Sequence, residues 1–281
     1  MLGQRVVTAV ILLLVLLPAL FYPSPEPFCL VAMLFIAAGA WEWARLADCG
    51  PTVSLLAGAL SALVCAAAWS LGALDLQLPR LWSAAAVVWV FGGAWLLRGG
   101  PGAWRAMPRG VRLGLGLVVL CVAWLAVAQA RSAGVNFLLS VMVLVWVADI
   151  GAYFAGRRWG GRWIHRKLAP SISPGKSWEG VIGGMVGVVL LSLAWRWADV
   201  HWQAGVPSLY TQLAASLQWL AWPALLALTA MSVAGDLLES LVKRAAGVKD
   251  SSGLLPGHGG VLDRLDALLP TLPIALLLNA L

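Results

Sequence analysis

Apolar runs of bilayer length dominate this chain, and short polar stretches punctuate them. A crossing helix needs about 20 mainly apolar residues. On that scale nine runs qualify, over residues 5–22, 28–46, 54–74, 81–97, 113–130, 136–156, 180–198, 219–242 and 265–281. The breaks between them have physical causes. Pro23-Ser24-Pro25-Glu26-Pro27 cannot continue a helix, because each proline lacks an N–H donor. Gly99-Gly100-Pro101-Gly102 predicts another stop. No internal repeat and no low-complexity tail interrupts the pattern. It predicts an all-α, polytopic membrane protein of about nine transmembrane helices, forming one membrane domain over 1–281.

Composition agrees and excludes a soluble domain. The 281 residues are 61% hydrophobic and 11% charged, with a mean hydropathy of +0.88. Soluble domains carry about 25% charged residues. Several of the 17 Trp sit near span ends, among them Trp41, Trp43, Trp104, Trp195 and Trp219, as interface anchors do. Cys29, Cys49, Cys65 and Cys121 are scattered with no metal spacing and read as small buried hydrophobes. The apolar run from Val6 to Tyr22 is long for a signal peptide and is expected to stay as the first helix.

Positive charge orients the spans. With the N-terminus cytoplasmic, 16 of the 19 Lys and Arg fall on the cytoplasmic side, and only Arg80, Arg131 and Arg196 fall outside. The net charge of +7 therefore forms a cytoplasmic skirt, suited to anionic lipid heads, and no nucleic-acid partner is expected.

Some charges exceed what topology requires. Asp149, Asp236, Glu239, Asp263 and Asp266 lie in or against spans, where an acid costs about 2.5–3.5 kcal/mol at a helix centre. Such residues are functional candidates by default. Asp236 and Glu239 are spaced i, i+3 and are expected to face one way, with Lys243 four residues beyond Glu239. Asp263 and Asp266 repeat the spacing. If their helices are neighbours the two pairs converge, and hard carboxylate oxygens suit magnesium, which also binds substrate phosphate. The structural alternative is ion pairing, Glu239 with Lys243 and Asp263 with Arg244.

Between the pairs, Ser240 to Asp266 also holds Arg244, Lys249, Asp250, His258 and Arg264. Gly257-His258-Gly259-Gly260 lets backbone N–H groups approach an anion, and His258 either donates to a phosphate or caps the last helix. A second polar island, Ser171 to Gly180, carries Gly175-Lys176-Ser177. It resembles the end of a P-loop, but Pro170 stands where the first glycine belongs and no strand precedes it, so a P-loop is excluded. Lys176 at a helix start still suits a phosphate; Ser177 could equally be an ordinary N-cap. In the third island, Trp146 to Gly161, Asp149, Tyr153 and Gly156 or Arg157 share one helix face. Asp149 either reaches the site or neutralises a basic neighbour.

Together these islands resemble the phosphatidate cytidylyltransferase (CDP-diacylglycerol synthase) family. The C-terminal signature is carried by Ser240, Lys243-Arg244, Lys249-Asp250, Pro256, Gly257-His258-Gly259-Gly260 and Asp263-Arg264-x-Asp266. Upstream elements are Asp149-Ile150-Gly151-Ala152-Tyr153, Ser173-Pro174-Gly175-Lys176-Ser177-Trp178-Glu179-Gly180 and Gly235-Asp236. The first half matches only in general character, with a Trp41-Glu42-Trp43 turn, and Gly175 stands where the family often has a second Lys.

The resemblance implies CTP and phosphatidate as substrates, CDP-diacylglycerol and pyrophosphate as products, and an all-helical homodimer in the bacterial inner membrane. It implies that 1–135 supplies N-terminal helices and 136–281 the catalytic helices and cytoplasmic loops. It also implies Mg2+ held by Asp236 and Asp263, with a second, monovalent ion such as K+. Asp266, Lys243, Lys249 and His258 are then expected to join catalysis. Asp149, Ser173, Lys176, Ser177, Arg244, Asp250, Gly257, Gly259, Gly260 and Arg264 are expected to bind substrate. Two other readings stay open. Another phospholipid or polyprenol phosphotransferase would need the Asp-Gly-x-x-Ala-Arg opening of the CDP-alcohol enzymes, which is absent. An ion-coupled transporter would favour broken helices in repeated halves.

Overall fold

The computed structural model describes residues 2–281 and is mostly helical. Twelve α-helices follow in order among the described residues: α1 Leu2–Phe21, α2 Glu26–Leu46, α3 Pro51–Ser70, α4 Pro79–Val87, α5 Gly93–Ala106, α6 Arg109–Ala133, α7 Val135–Trp159, α8 Trp178–His201, α9 Leu209–Leu217, α10 Ala221–Ala245, α11 Leu262–Leu265 and α12 Leu268–Asn279. A π-helical turn, Val88–Gly92, joins α4 to α5, and a 3-10 turn, Gln218–Leu220, joins α9 to α10. No strand forms among the described residues, only two isolated bridge pairs in loops.

Eight helical stretches are long and apolar enough to cross a membrane. Each overlaps one of the first eight expected spans; the third ends at Ser70 rather than 74, and two run longer. The fourth extends over Pro79–Ala106. Its expected stop is a sharp turn at Gly100, with φ 67° and ψ −166°, after which Pro101 restarts the helix. The eighth begins at Leu209 rather than 219. Ser208 caps α9, and Asp199 anchors the cap by accepting from the Ser208 hydroxyl at 2.5 Å and amide at 2.9 Å.

The ninth run differs most. It forms only α12, which is almost wholly buried. Pro270 lacks the N–H that would close on the Asp266 carbonyl, so regular helix fails at Asp266–Ala267, although both keep right-handed helical dihedrals. Counted from Leu262, the helical path is roughly 27 Å long at 1.5 Å per residue. Gly235 of α10 makes room for the freed carbonyl: a Cβ there would lie 2.5 Å from Asp266 O.

The polar loops gather at one end of the bundle. There the Trp43 indole donates to Arg112 O (2.9 Å), Arg105 Nε donates to Ala245 O (2.8 Å) and Thr8 Oγ1 donates to Pro256 O (2.8 Å). The opposite end is tied by Arg131, whose guanidinium donates to Leu20 O and Tyr22 O, and by Asn136 with Asp199. These ties put Arg105 and Arg112 at the end that holds the 246–261 loop, as the charge count expects, and Arg131 at the other.

Candidate active site at the polar end of the bundle

Helix α7 meets α8 at very close range. A Cβ at Gly184 would lie 2.7 Å from Ala148 O, and one at Gly151 would lie 2.8 Å from Gly183 O. Small residues permit that approach, as in many membrane helix pairs. It fixes Asp149 on α7 relative to the turn before α8. Ser177 is the α8 N-cap, buried, and accepts from the Gly180 amide at 3.2 Å. Its hydroxyl is thus committed to the helix. The 162–177 loop is held to α8 by Glu179, whose Oε1 accepts from the Trp163 and Ile164 amides at 3.0 and 2.9 Å.

A cavity of about 520 Å³ opens between α7, α8 and α10. Asp149, Tyr153, Arg157, Lys176, Ser177 and Asp236 line it, so the predicted α7 face and the middle island do converge. Lys176 Nζ donates to Asp236 Oδ2 at 2.5 Å, and the Ser240 hydroxyl lies 3.3 Å from Asp236 Oδ1.

One turn further along α10, Lys243 touches two acids. It pairs with Glu239 on its own helix and donates to Asp263 Oδ1 at 2.5 Å. Asp263 Oδ2 accepts from the Gly260 amide (2.7 Å), the Ser251 hydroxyl (2.9 Å) and the Ser251 amide (3.0 Å). Burial alone would raise the Asp263 carboxyl, but the Lys243 ammonium and these donors outweigh it and hold its pKa at about 2. It is therefore a full negative charge at neutral pH. The ion-pairing alternative set Arg244 against Asp263; helix rotation instead delivers Lys243. Arg244 turns to the middle island and donates to Ile172 O at 3.3 Å, while its own carbonyl accepts from Arg105 at 3.1 Å.

The glycine loop is built as a tight cradle. Gly257 and Gly259 adopt φ of 75° and 83°. The His258 amide donates to Leu255 O at 2.8 Å, and its carbonyl accepts from Arg264 at 2.5 Å. The half-buried His258 ring keeps Nδ1 without a partner. Lys249 and Asp250 are exposed at the loop's start and make no side-chain hydrogen bond or ion pair among the described residues; nor does Ser173. Asp266 uses Oδ1 to accept from its neighbour's amide at 2.7 Å. Asp236 and Glu239, expected to face one way, open onto different spaces: the cavity above for Asp236, and a separate apolar pocket for Glu239.

A model of the Cytidylyltransferase family matches residues 3–281. The chain belongs to that family. A protein of Pseudomonas aeruginosa named phosphatidate cytidylyltransferase is 39% identical over 285 residues, covering 98% of this chain and 95% of that one. Proteins of the same name from Haemophilus influenzae (47% over 140 residues, 50% of this chain and 44% of that one) and Brucella suis (36% over 221 residues, 68% and 73%) are also similar.

Within this cytidylyltransferase, Glu42 is the organising residue that sequence reasoning passed over. It is fully buried on α2 and reaches the C-terminal loop more than 200 residues away. Its two oxygens accept from Ser252 Oγ (2.5 Å), Leu262 N (2.8 Å) and Val261 N (2.9 Å), and lie within reach of Ser251 Oγ (3.1 Å), whose one proton is shared with Asp263. Gly260 must be glycine beside it, since a Cβ there would lie 2.0 Å from Ser251 Oγ and 2.4 Å from Glu42 Oε1. The signal was present: Glu42 is an acid inside the 28–46 run. Glu42→Gln is expected to lower the thermal midpoint in detergent, because its amide turns a donor toward donors, at about 1–3 kcal/mol. It should cut activity as the loop loosens. An unchanged midpoint and activity would show that the loop holds itself.

The residues of this cytidylyltransferase fit a hard divalent ion only in part on their own. Among the described residues no three His, Cys, Asp or Glu side chains converge tightly enough to hold a metal. Asp236 and Asp263 each offer a carboxylate already facing an ammonium group. One or two carboxylates completed by substrate phosphate is the usual arrangement for magnesium. The donor set fits on that condition.

Proposed function

We propose that this protein transfers the cytidylyl group of CTP to phosphatidate, giving CDP-diacylglycerol and pyrophosphate. Family membership along the whole chain and the similarity to proteins named phosphatidate cytidylyltransferase support it. The observation that carries it is the juxtaposition of cations and carboxylates at one end of an apolar bundle: Lys176 on Asp236, and Lys243 on Asp263. A soluble nucleotide and a membrane lipid can meet only at such a place.

In the reaction a phosphate oxygen of phosphatidate attacks the α-phosphorus of CTP in line. The new P–O bond forms as the bond to the β-phosphate oxygen breaks, and pyrophosphate leaves. The nucleophile is already an anion, so no strong base is needed. The obstacle is repulsion between anions, and catalysis is charge neutralisation with positioning. Lys176, Lys243, Arg244 and Lys249 supply positive charge, and His258 with the glycine-loop amides supplies donors to phosphate. Asp250 orients Lys249 or meets the nucleoside. Asp236 and Asp263 would hold Mg2+, with Asp266 beside them, and a monovalent ion such as K+ would add to the charge balance. When bound, the divalent ion neutralises phosphate oxygens and activates the leaving group.

The protein is multi-pass. The site is proposed to face the cytoplasm across a bacterial inner membrane, since 16 of 19 basic residues sort to that side, and the protein is proposed to act as a homodimer. Labelled CTP should enter lipid when purified protein is given phosphatidate, with pyrophosphate released in equal amount. No labelled lipid would sink the assignment. Single cysteines at Arg105, His165 and Asp250 should label only from the cytoplasmic side and one at Leu281 only from outside. Outside-only labelling of 245–262 would overturn the orientation.

A further inference from the structure

Glu239 lines an apolar pocket of about 160 Å³ that takes no part in the chemistry above. Trp43, Trp89, Gly92, Trp104, Leu238 and Leu269 form its walls. Val88 and Trp95 stand at its edge and are more than half exposed on the flank of the bundle, so the pocket opens toward lipid. The π turn Val88–Gly92 makes one wall, and π turns recur at functional sites. A Cβ on Gly92 would meet nothing within 4 Å.

Two polar atoms interrupt the apolar lining. Trp104 Nε1 and Glu239 Oε1 are both buried without a hydrogen-bond partner, in residues 2% and 3% exposed. Two other buried indoles are paired: Trp43 donates to Arg112 O and Trp124 to Cys29 O. Native structures seldom leave a buried N–H unpaired, which points to a missing acceptor beside Trp104. The other oxygen of Glu239 contacts Lys243, and Lys243 holds Asp263 at 2.5 Å. The pocket thus begins one ion pair away from the reacting charges.

Polarity changes along this path as it does along a diacyl phospholipid: an anionic end, then ester carbonyls that only accept, then methylenes. We propose that the Trp104 pocket is the ester subsite for the lipid substrate, in which Trp104 Nε1 donates to an ester carbonyl and Trp43, Trp89 and Leu269 receive the start of that acyl chain. The proposal rests on the phosphatidate reading above.

The test compares dipalmitoyl phosphatidate with its diether analogue, which has the same chains and no carbonyls. Wild type should prefer the diester by about 3- to 10-fold in KM, the span of one ordinary hydrogen bond. Trp104→Phe should lose that preference, with KM for CTP unmoved. Gly92→Leu, which fills the pocket, should raise the lipid KM alone. No preference in wild type, a preference that survives Trp104→Phe, or an equal loss on both lipids would overturn the proposal. The last outcome marks Trp104 as packing or as the seat of a resident water. Dissociation constants of both lipids, measured in micelles without CTP, should show the same preference. They test the pocket even if no CTP is turned over, so failure of the phosphatidate reading is seen separately.

Discussion

Asp236→Asn is expected to cut turnover at least about 100-fold while insertion and thermal midpoint stay near wild type, the scale on which preorganised charge acts in catalysis. The amide keeps the shape of the carboxylate and its one oxygen can still accept from Lys176. What disappears is one negative charge facing the cavity shared with Asp149 and Arg157. That charge sets how tightly the Lys176 ammonium is held at rest, and it is one of two carboxylates offered to a divalent ion. If Asp236 served only to anchor Lys176, then Lys176→Met would cost as much as Asp236→Asn, and Asp236→Asn with Lys176→Met would cost no more than Lys176→Met alone. The four proteins should be compared by labelled-CTP incorporation across a magnesium titration. Near-normal turnover of Asp236→Asn at ordinary magnesium would remove it from the metal-binding reading.

The sequence carried the bundle and much of the site in the spacing of a few residues. Asp149, Tyr153 and Arg157 recur at i, i+4 and i+8, so one face of α7 was visible before any contact was known, and all three line the cavity. Lys176 was placed at a helix start, and the structure brings it to Asp236 across 60 residues. What could not be read was rotation. Helical spacing says which residues share a stripe, not which neighbour the stripe meets; so the ion-pairing alternative set Asp263 against Arg244, when Lys243 faces it. The same limit put Asp236 and Glu239 on one surface, when α10 turns them toward separate spaces. The C-terminal run was harder to read in its regularity. Residues 265–281 are apolar enough for a span, yet Pro270 breaks the regular helix at Asp266–Ala267, and most of the run is buried among its neighbours. Glu42 was hidden because its partners are backbone amides some 220 residues away, which no local pattern announces.

Asp263→Asn should abolish activity, and the structure makes that a sharper experiment than it was from sequence. Lys243 has two acidic partners. Removing the Asp263 charge leaves Lys243 still paired with Glu239, and Asn can still accept from the Ser251 and Gly260 donors through its carbonyl. As a mere ion-pair partner, then, Asp263 would be cheap to neutralise. A loss of about 1,000-fold, the upper end for one preorganised charge, would mean that the reaction itself needs the charge. Asp263→Asn with Lys243→Gln decides between the readings. If the pair exists only to balance itself, the double change leaves no unpaired charge between positions 243 and 263 and should do better than Lys243→Gln alone. If Asp263 serves the two anionic substrates, the double change stays as inactive as Asp263→Asn, since losing the Lys243 cation only adds to their repulsion. The second outcome is expected, because a carboxyl held near pKa 2 stays charged wherever the enzyme works. Recovery of turnover in the double variant, with an unchanged magnesium response, would defeat the assignment.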